Sequence, residues 1–454
     1  MDDRERAQQA EKAAELAVEL TAGDVRGVAL TFVDTSGITR SKAVPVARLE
    51  HAAAWGVGAS PCFDTFLLDD SIVPARFTGG VVGDLRLHPV LDRLTPLSAL
   101  PGWAWAPAAR YAQDGTAHPV DGRTVLRRAA GRLADEGLTV RAAFEVEWTI
   151  SQGGPDEFVP ACHGPAYGMA RLTEQAGYLS DLLEALAASG VAVEQIHPEY
   201  AAGQYEVSVA AEEPVGAADT TVLVRETIRA VSQAHGLRAS FSPKVAAGAV
   251  GNGGHVHLSL WRDGRNLMAG GAAAAGMTGT GEAFAAGILE RLPALLALGA
   301  PSVASYLRLV PSHWAGAYAC WGPENREAAL RFITGPAGSS AQAANLEVKC
   351  FDATANPCFA LAGLLAAGSA GITEGRTLPA PVAGDPALAA EAGRPARLPS
   401  SLEEAVRAFE GDPVLRAALG EAVIDTVAAV RRGEIALFAG ATDEEIVAAT
   451  RYRH

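Results

Sequence analysis

Four short stretches of this 454-residue chain set carboxylates or imidazoles two residues apart within otherwise apolar runs. FEVEW carries Glu145 and Glu147 between Phe144, Val146 and Trp148; QYEVSV carries Gln204, Glu206 and Ser208; HVHLSL carries His255, His257 and Ser259; LEVKCF carries Glu347 and Lys349. Side chains in a strand alternate between faces. Each stretch therefore reads as a strand with one apolar side and one side bearing acid or imidazole. Taken singly, each is an ordinary strand with a solvated face. Taken together, the repeated choice of Glu and His, which are ligands of hard to borderline divalent cations, points to a metal-binding face. Glu199, in HPEYAAGQYE, adds a further carboxylate. Carboxylates packed together without a cation repel, and some are forced to bind protons. Carboxylate oxygens with imidazole suit Mg²⁺ or Mn²⁺ better than a structural Zn²⁺, for which cysteine would be expected. Two such ions usually accompany phosphoryl transfer.

Cations of the right kind lie elsewhere in the chain. Arg308 in RLVP, Arg326 and Arg331 in NREAALR, and Lys349 can hold phosphate and carboxylate oxygens, the arginines through forked hydrogen bonds. Each alone reads more readily as a surface ion pair; together with a metal-binding sheet they point to anion binding. GAVGNGGHVH, residues 248–257, brings a glycine-rich turn directly before the HxH strand, where backbone N–H groups can approach an anion closely.

The elements that must position these residues are legible from periodicity. MDDRERAQQAEKAAELAVEL has apolar residues at helical spacing and no apolar core of the kind a signal peptide needs. VALTFVD, SKAVPVA, GDLRLH and WAWAPA, punctuated by Gly and Pro, predict a small β-rich first domain. From Arg123 onward, helical patterns such as TVLRRAAGRLADEG and GYLSDLLEALAASG alternate with strands and predict an α+β second domain. The Ala/Gly tract at 270–281 and the Pro-rich stretch 378–398 read as surface loops. Phe359 to Ile372 is shorter than the roughly 20 residues a membrane span needs and reads as a core helix. With 37 basic and 52 acidic residues, a net charge of −15, the chain has no general field for nucleic acid or anionic membrane. Its five cysteines form no CxxC pair, which fits a reducing cytoplasm.

The ordered set FVDTSGITRSKAVP, FDTF, GDLRLHPVLDRLTPLSALPGWAWAPA, FEVEW, HPEYAAGQYEV, FSPKVAAGAVGNGGHVHLSLW, SYLRLVP, NREAALRF and LEVKCFDATANPCFALAGLLAAG resembles the glutamine synthetase family. The resemblance implies an α+β fold: an N-terminal helix (1–22), a β-grasp domain (23–112) and a catalytic domain built on an antiparallel sheet with helices (113–454). It implies a homo-oligomer of two stacked hexameric rings, a dodecamer, with each active site between neighbouring subunits. The implied chemistry uses ATP to phosphorylate the γ-carboxylate of glutamate, after which an amine displaces the phosphate. Carried over by position, Glu147, Glu199 and Glu206 match the ligands of one Mg²⁺ or Mn²⁺, and Glu145, His255 and Glu347 those of a second. His257, Ser259 and Arg331 match nucleotide and phosphate contacts, with Glu194 a weaker match. Gly251 and Arg308 fall where glutamate is held, together with Lys349. Arg326 falls where the transferring phosphoryl is stabilised. Asp64, in FDTF, falls where a neighbouring subunit contributes an aspartate to the ammonium site.

Four positions depart from the family pattern. Three residues after the Pro of RLVP, where a Glu closes over the site and helps to deprotonate ammonium, this chain has Trp314, whose neutral indole accepts no proton. Val250 replaces the Asn before the glycine of the glutamate site, Lys349 replaces an Arg, and Leu67 stands at the spacing of the missing FDGSS serine. An aromatic wall in place of an acid implies a nucleophile larger than ammonia, an organic amine such as ethanolamine or a polyamine held by apolar and cation–π contact. An amine site poor in carboxylates mildly favours a short amine over a polycation. The alternatives are ordinary glutamine synthesis with another residue serving for the missing Glu, and a silent structural member of the family; retention of all six metal positions argues against the latter.

Overall fold

The computed structural model describes residues 3–78 and 80–454. The helix Asp3–Ala22 leads into a first sheet made of β1 (Gly27–Val33), β2 (Thr39–Pro45), β3 (Val57–Ala59), β4 (Leu85–Pro89), β5 (Thr95–Pro96) and β6 (Trp103–Ala112). Its order is β2-β1-β6-β4-β3, with β5 beside β6. Only β1 and β6 run parallel; the other neighbours are antiparallel. Alternation drives the layer: Val28 and Leu30 of β1 and Leu87 of β4 turn inward and pack with Leu49, Ala52 and Ala53 of the helix Leu49–Trp55 and with Ala13 and Leu20 of the first helix.

The second sheet holds β7 (Thr139–Ser151), β8 (Val193–Pro198), β9 (Gln204–Val209), β10 (Arg238–Ser240), β11 (Gly254–Arg262), β12 (Arg265–Asn266), β13 (Trp321–Pro323), β14 (Leu330–Ile333) and β15 (Asn345–Val348). The order is β13-β14-β15-β11-β7-β9-β8, with β10 on β7 and β12 on β11. It is antiparallel, as expected from alternation, except that β13 joins β14 in parallel. The four strands with acid or imidazole faces are contiguous, β15-β11-β7-β9. Their register sets His255 opposite Glu145, His257 opposite Glu347 and Glu147 opposite Glu206. Directly opposed side chains lie within contact reach, and a like-charged pair such as Glu147 with Glu206 is unfavourable by itself.

The other face of this sheet is the core. Phe144, Val146, Trp148, Val207, Val256, Leu258, Leu346 and Val348 are buried there against the helices Gly122–Asp135, Ala176–Ala188, Pro214–Ala234, Gly279–Gly299 and Pro357–Glu374. The helix Pro357–Glu374 is the one among the described residues long and apolar enough to cross a membrane, and it is packed inside this core. It lies tightly on Gly279–Gly299 because both have glycine at the crossing: a Cβ on Gly287 would come 2.6 Å from the Cα of Gly371. The Ala/Gly tract runs as a loop only to Thr278, whose hydroxyl caps the helix from Gly279. The Pro-rich stretch is irregular, with two short turns at Pro386–Leu388 and Glu391–Gly393.

Asn356, in the TANP run, joins the two sheets. Its Oδ1 accepts the N–H groups of Cys358 (3.0 Å) and Phe359 (3.3 Å), capping the core helix, while its Nδ2 donates to Val33 O (3.0 Å) and Asp34 O (3.2 Å) at the end of β1. Substitution Asn356→Ala removes the cap and the tie to the end of β1, while Asp34 O keeps the N–H of Gly37. It is expected to cost roughly 2–3 kcal/mol, read from the midpoint of denaturant unfolding. A midpoint equal to that of the parent would show that the junction does not depend on this side chain.

Candidate functional site

The polar face of the second sheet floors a cavity of about 960 Å³. Glu145, Glu147, Glu199, Glu206, His255, His257, Gly251, Arg308, Trp314, Arg326, Arg331 and Lys349, all singled out from the sequence, line it. Glu347 lies beneath it, 1 % exposed, with Lys349 Nζ at 3.0 Å and Arg331 Nη1 at 2.9 Å.

Three sets of potential ligand atoms lie within 4.8 Å of one another: Glu145, His257 and Glu347; Glu145, Glu206 and His255; His197, Glu199 and Glu206. Glu147 belongs to none of them. Its Oε2 is turned toward the backbone, accepting from Gly253 N (2.8 Å) and Gln204 Nε2 (3.0 Å). His255 Nδ1 meets Glu145 Oε1 at 2.7 Å, and with its proton there the Nε2 lone pair accepts from Arg308 Nη2 at 3.2 Å.

The electrostatics divide this face in two. At the β8–β9 end, burial and the charges of Glu145, Glu147 and Glu199 push Glu206 up to about 8 despite its bond to His197. The same bond, 3.0 Å from His197 Nε2 to Glu206 Oε1, is the main cause that lifts His197 to about 9. Glu199 is raised by burial and by Glu147. At the β11–β15 end burial is outweighed: Lys349, His255 and His257 hold Glu347 down at about 2, and the hydrogen bond from His255, with His257 Nε2 3.6 Å away, holds Glu145 well below the usual range. His257, similarly, rises to about 9 beside Glu145 and Glu347 against the effect of burial. Protons thus do at the first end what lysine, arginine and imidazole do at the second. A hard divalent ion can replace those protons, so the oxygen-rich donor set fits such an ion.

The glycine-rich turn is required by space. A Cβ on Gly253 would sit 2.9 Å from both Glu147 Oε1 and Arg308 Nη2, and one on Gly251 would run into Pro243 O and Arg308. Asn252 pins the turn, accepting from Thr149 Oγ1 (3.0 Å) and donating to Ser242 O (2.9 Å). Buried Arg308 donates to Phe351 O and Lys349 O, each at 3.2 Å. Exposed Arg326 makes no hydrogen bond or ion pair among the described residues.

Besides Glu347, three expected residues lie apart from the cavity lining. Ser259 continues the same strand face but is buried, accepting from Trp261 Nε1 at 2.8 Å. Glu194 is exposed on β8 at a register irregularity, and its neighbour Gln195 lines the cavity instead. Asp64 is wholly buried in the first sheet's domain, bound by Arg110 Nη1 (2.5 Å), His118 Nε2 (2.6 Å) and Thr78 Oγ1 (3.2 Å).

Residues not singled out from the sequence also reach the site. His197 shares a face with Glu199 two residues on, a spacing visible in HPE. Tyr167 and Tyr200 stand at the rim by Glu199. Their loops are held by buried Arg171, whose guanidinium donates to the carbonyls of Gly164, Glu199, Tyr200 and Ala201. Glu327, buried within NREAALR, accepts the backbone N–H of Trp314 at 2.7 Å.

Known proteins resemble this chain over most of its length. The profile of the glutamine synthetase catalytic domain matches residues 119–448. A gamma-glutamylpolyamine synthetase of Streptomyces coelicolor is 58% identical over 451 residues, covering 98% of this chain and 97% of its own. A glutamine synthetase of Pyrococcus abyssi is 32% identical over 407 residues, 87% of each chain. A crystal structure described as a novel glutamine synthase homologue superposes with a TM-score of 0.84 at 37% identity, covering 93% of this chain and 97% of that one.

Proposed function

The chain belongs to the glutamine synthetase family, and from that premise we propose that it is an ATP-dependent ligase joining the γ-carboxyl of glutamate to an organic amine, a polyamine above all. The observation that carries this reading is a cavity lined by Glu145, Glu147, Glu199, Glu206, His255 and His257, with Glu347 just beneath, that also presents an indole, Trp314, 52 % exposed. The similarity to a gamma-glutamylpolyamine synthetase over nearly the whole of both chains supports the amine class. The expected preference for a short amine rested on a site poor in carboxylates. The rings of Tyr167, Tyr200 and Trp314 around the cavity can receive the cationic groups of a polyamine by cation–π contact, and the similarity to a gamma-glutamylpolyamine synthetase supports the longer amine instead.

In this reading Glu145, His255 and Glu347 would hold one divalent ion, and Glu199, Glu206 and Glu147 the other, His197 being placed to join the second set. Ions so held neutralise phosphate charge during transfer. Arg308 and the turn at Gly251 receive glutamate; His257 and Arg331 face the nucleotide phosphates; Arg326, without a partner among the described residues, meets the transferring phosphoryl. The γ-carboxylate oxygen attacks the terminal phosphorus and ADP departs; the amine nitrogen then attacks the acyl carbon, phosphate leaves, and the amine proton is lost to a nearby base or water. Assembly into two stacked hexameric rings is part of the same proposal, with Asp64, held by Arg110 and His118, contributed to the amine site of the neighbouring subunit.

Phosphate release from ATP, with glutamate and Mg²⁺ and a panel of amines, tests the reading. Release with putrescine, spermidine or spermine, and little with ammonia, is the expected result. Release with ammonia alone would replace it with glutamine synthesis, and no release with any amine would overturn the ligase reading.

A further inference from the structure

The loop that presents Trp314 is built against the ordinary preferences of the backbone. Ser312 (φ 57°), Trp314 (φ 53°) and Gly316 (φ 69°) all occupy the left-handed region, which bulky L residues rarely enter. Such a conformation persists only where the surroundings fix it. Two acids do so here: Asp385 Oδ2 accepts from Ser312 Oγ at 2.7 Å, and Glu327 Oε1 accepts from Trp314 N at 2.7 Å. Glu327 is itself braced by its own N–H on Asn325 Oδ1 (3.0 Å), and Asn325 is tied by Nδ2 to Val382 O (2.8 Å). The chain from a buried support to the exposed indole is therefore short and continuous.

We propose that Glu327 is a positioning residue for amine specificity: its carboxylate locks the strained Trp314 backbone so that the indole stands as a fixed wall of the amine pocket. This rests on the ligase reading above. An N–H to carboxylate bond is charge-assisted and stronger than a neutral one, which suits a position whose backbone is under strain. Glu327 acts through Trp314 and not on the reacting atoms.

A double-mutant cycle tests it. Glu327→Ala is expected to raise KM for spermidine about tenfold, the scale of one lost cation–π wall, with kcat changed less than threefold. Glu327→Gln, which keeps a side-chain acceptor, is expected to restore KM to within about threefold of the parent. In a Trp314→Ala background, Glu327→Ala is expected to add nothing further. Additive effects in the cycle, or Glu327→Gln behaving like Glu327→Ala, would overturn the proposal. Chymotryptic cleavage after Trp314 gives a readout independent of turnover: Glu327→Ala is expected to accelerate it at least about fivefold and Glu327→Gln to leave it slow. Equal cleavage in parent and Glu327→Ala would overturn the anchoring itself. Absence of amine-dependent turnover in the parent would instead count against the ligase reading.

Discussion

Glu206→Ala is expected to lower amine-dependent phosphate release by roughly a thousandfold, because the ion that organises phosphate charge loses a central ligand. Glu206 lies opposite Glu147 across the β7–β9 ladder, and it joins two of the three sets of potential ligand atoms. The same residue gives the metal a measurable pH dependence. Glu206 and His197, 3.0 Å apart and both pushed up, hold at least one proton between them at neutral pH in the metal-free protein. A divalent ion must displace that proton, so Mn²⁺ affinity is expected to rise with pH up to about 8 and to fall as pH drops below it. Calorimetry at pH 7 in buffers of different ionisation enthalpy should show net proton release on Mn²⁺ binding, and less of it from Glu206→Ala. Binding to the parent without proton release, or Glu206→Ala with unimpaired turnover, would remove the metal from the account.

Arg326→Ala is the second large effect. The guanidinium lines the cavity, exposed, and has no partner among the described residues. Its removal breaks no native interaction and should leave the unfolding midpoint within about 0.5 kcal/mol of the parent. A cation aimed at charge that develops during transfer is instead worth about a hundred- to a thousandfold in kcat. The expected signature is therefore a collapse of kcat on an unchanged fold, with KM for glutamate moving little. Loss of stability with retained kcat would show that Arg326 is a structural cation after all.

The contrast between Arg326 and its neighbours marks where sequence reading stops. NREAALR displays two arginines of equal standing, but Arg331 is tied to Glu347 and Glu324 while Arg326 has no partner among the described residues. Glu327, between them in the chain, looks like a surface acid until the fold buries it under Trp314. Asp64 shows the same limit: FDTF does not reveal that Arg110 and His118, 46 and 54 residues away, hold its carboxylate.

What the sequence determined by itself was the floor of the site. Two-residue alternation obliges Glu145 with Glu147, Gln204 with Glu206, His255 with His257, and Glu347 with Lys349 to share a face, because the pleat leaves a strand no other way to bury its apolar half. The glycines before β11 were legible for a similar reason, since only glycine allows backbone so near other groups. The tertiary structure alone decided the strand order β15-β11-β7-β9, hence which acids oppose which, which carboxyls hold protons and which face lysine or arginine. It also decided how a strained loop is tied down by an acid 13 residues farther along the chain. Periodicity is local and is written in the chain; proximity between distant residues, and the charge balance it creates, exists only once the chain has folded.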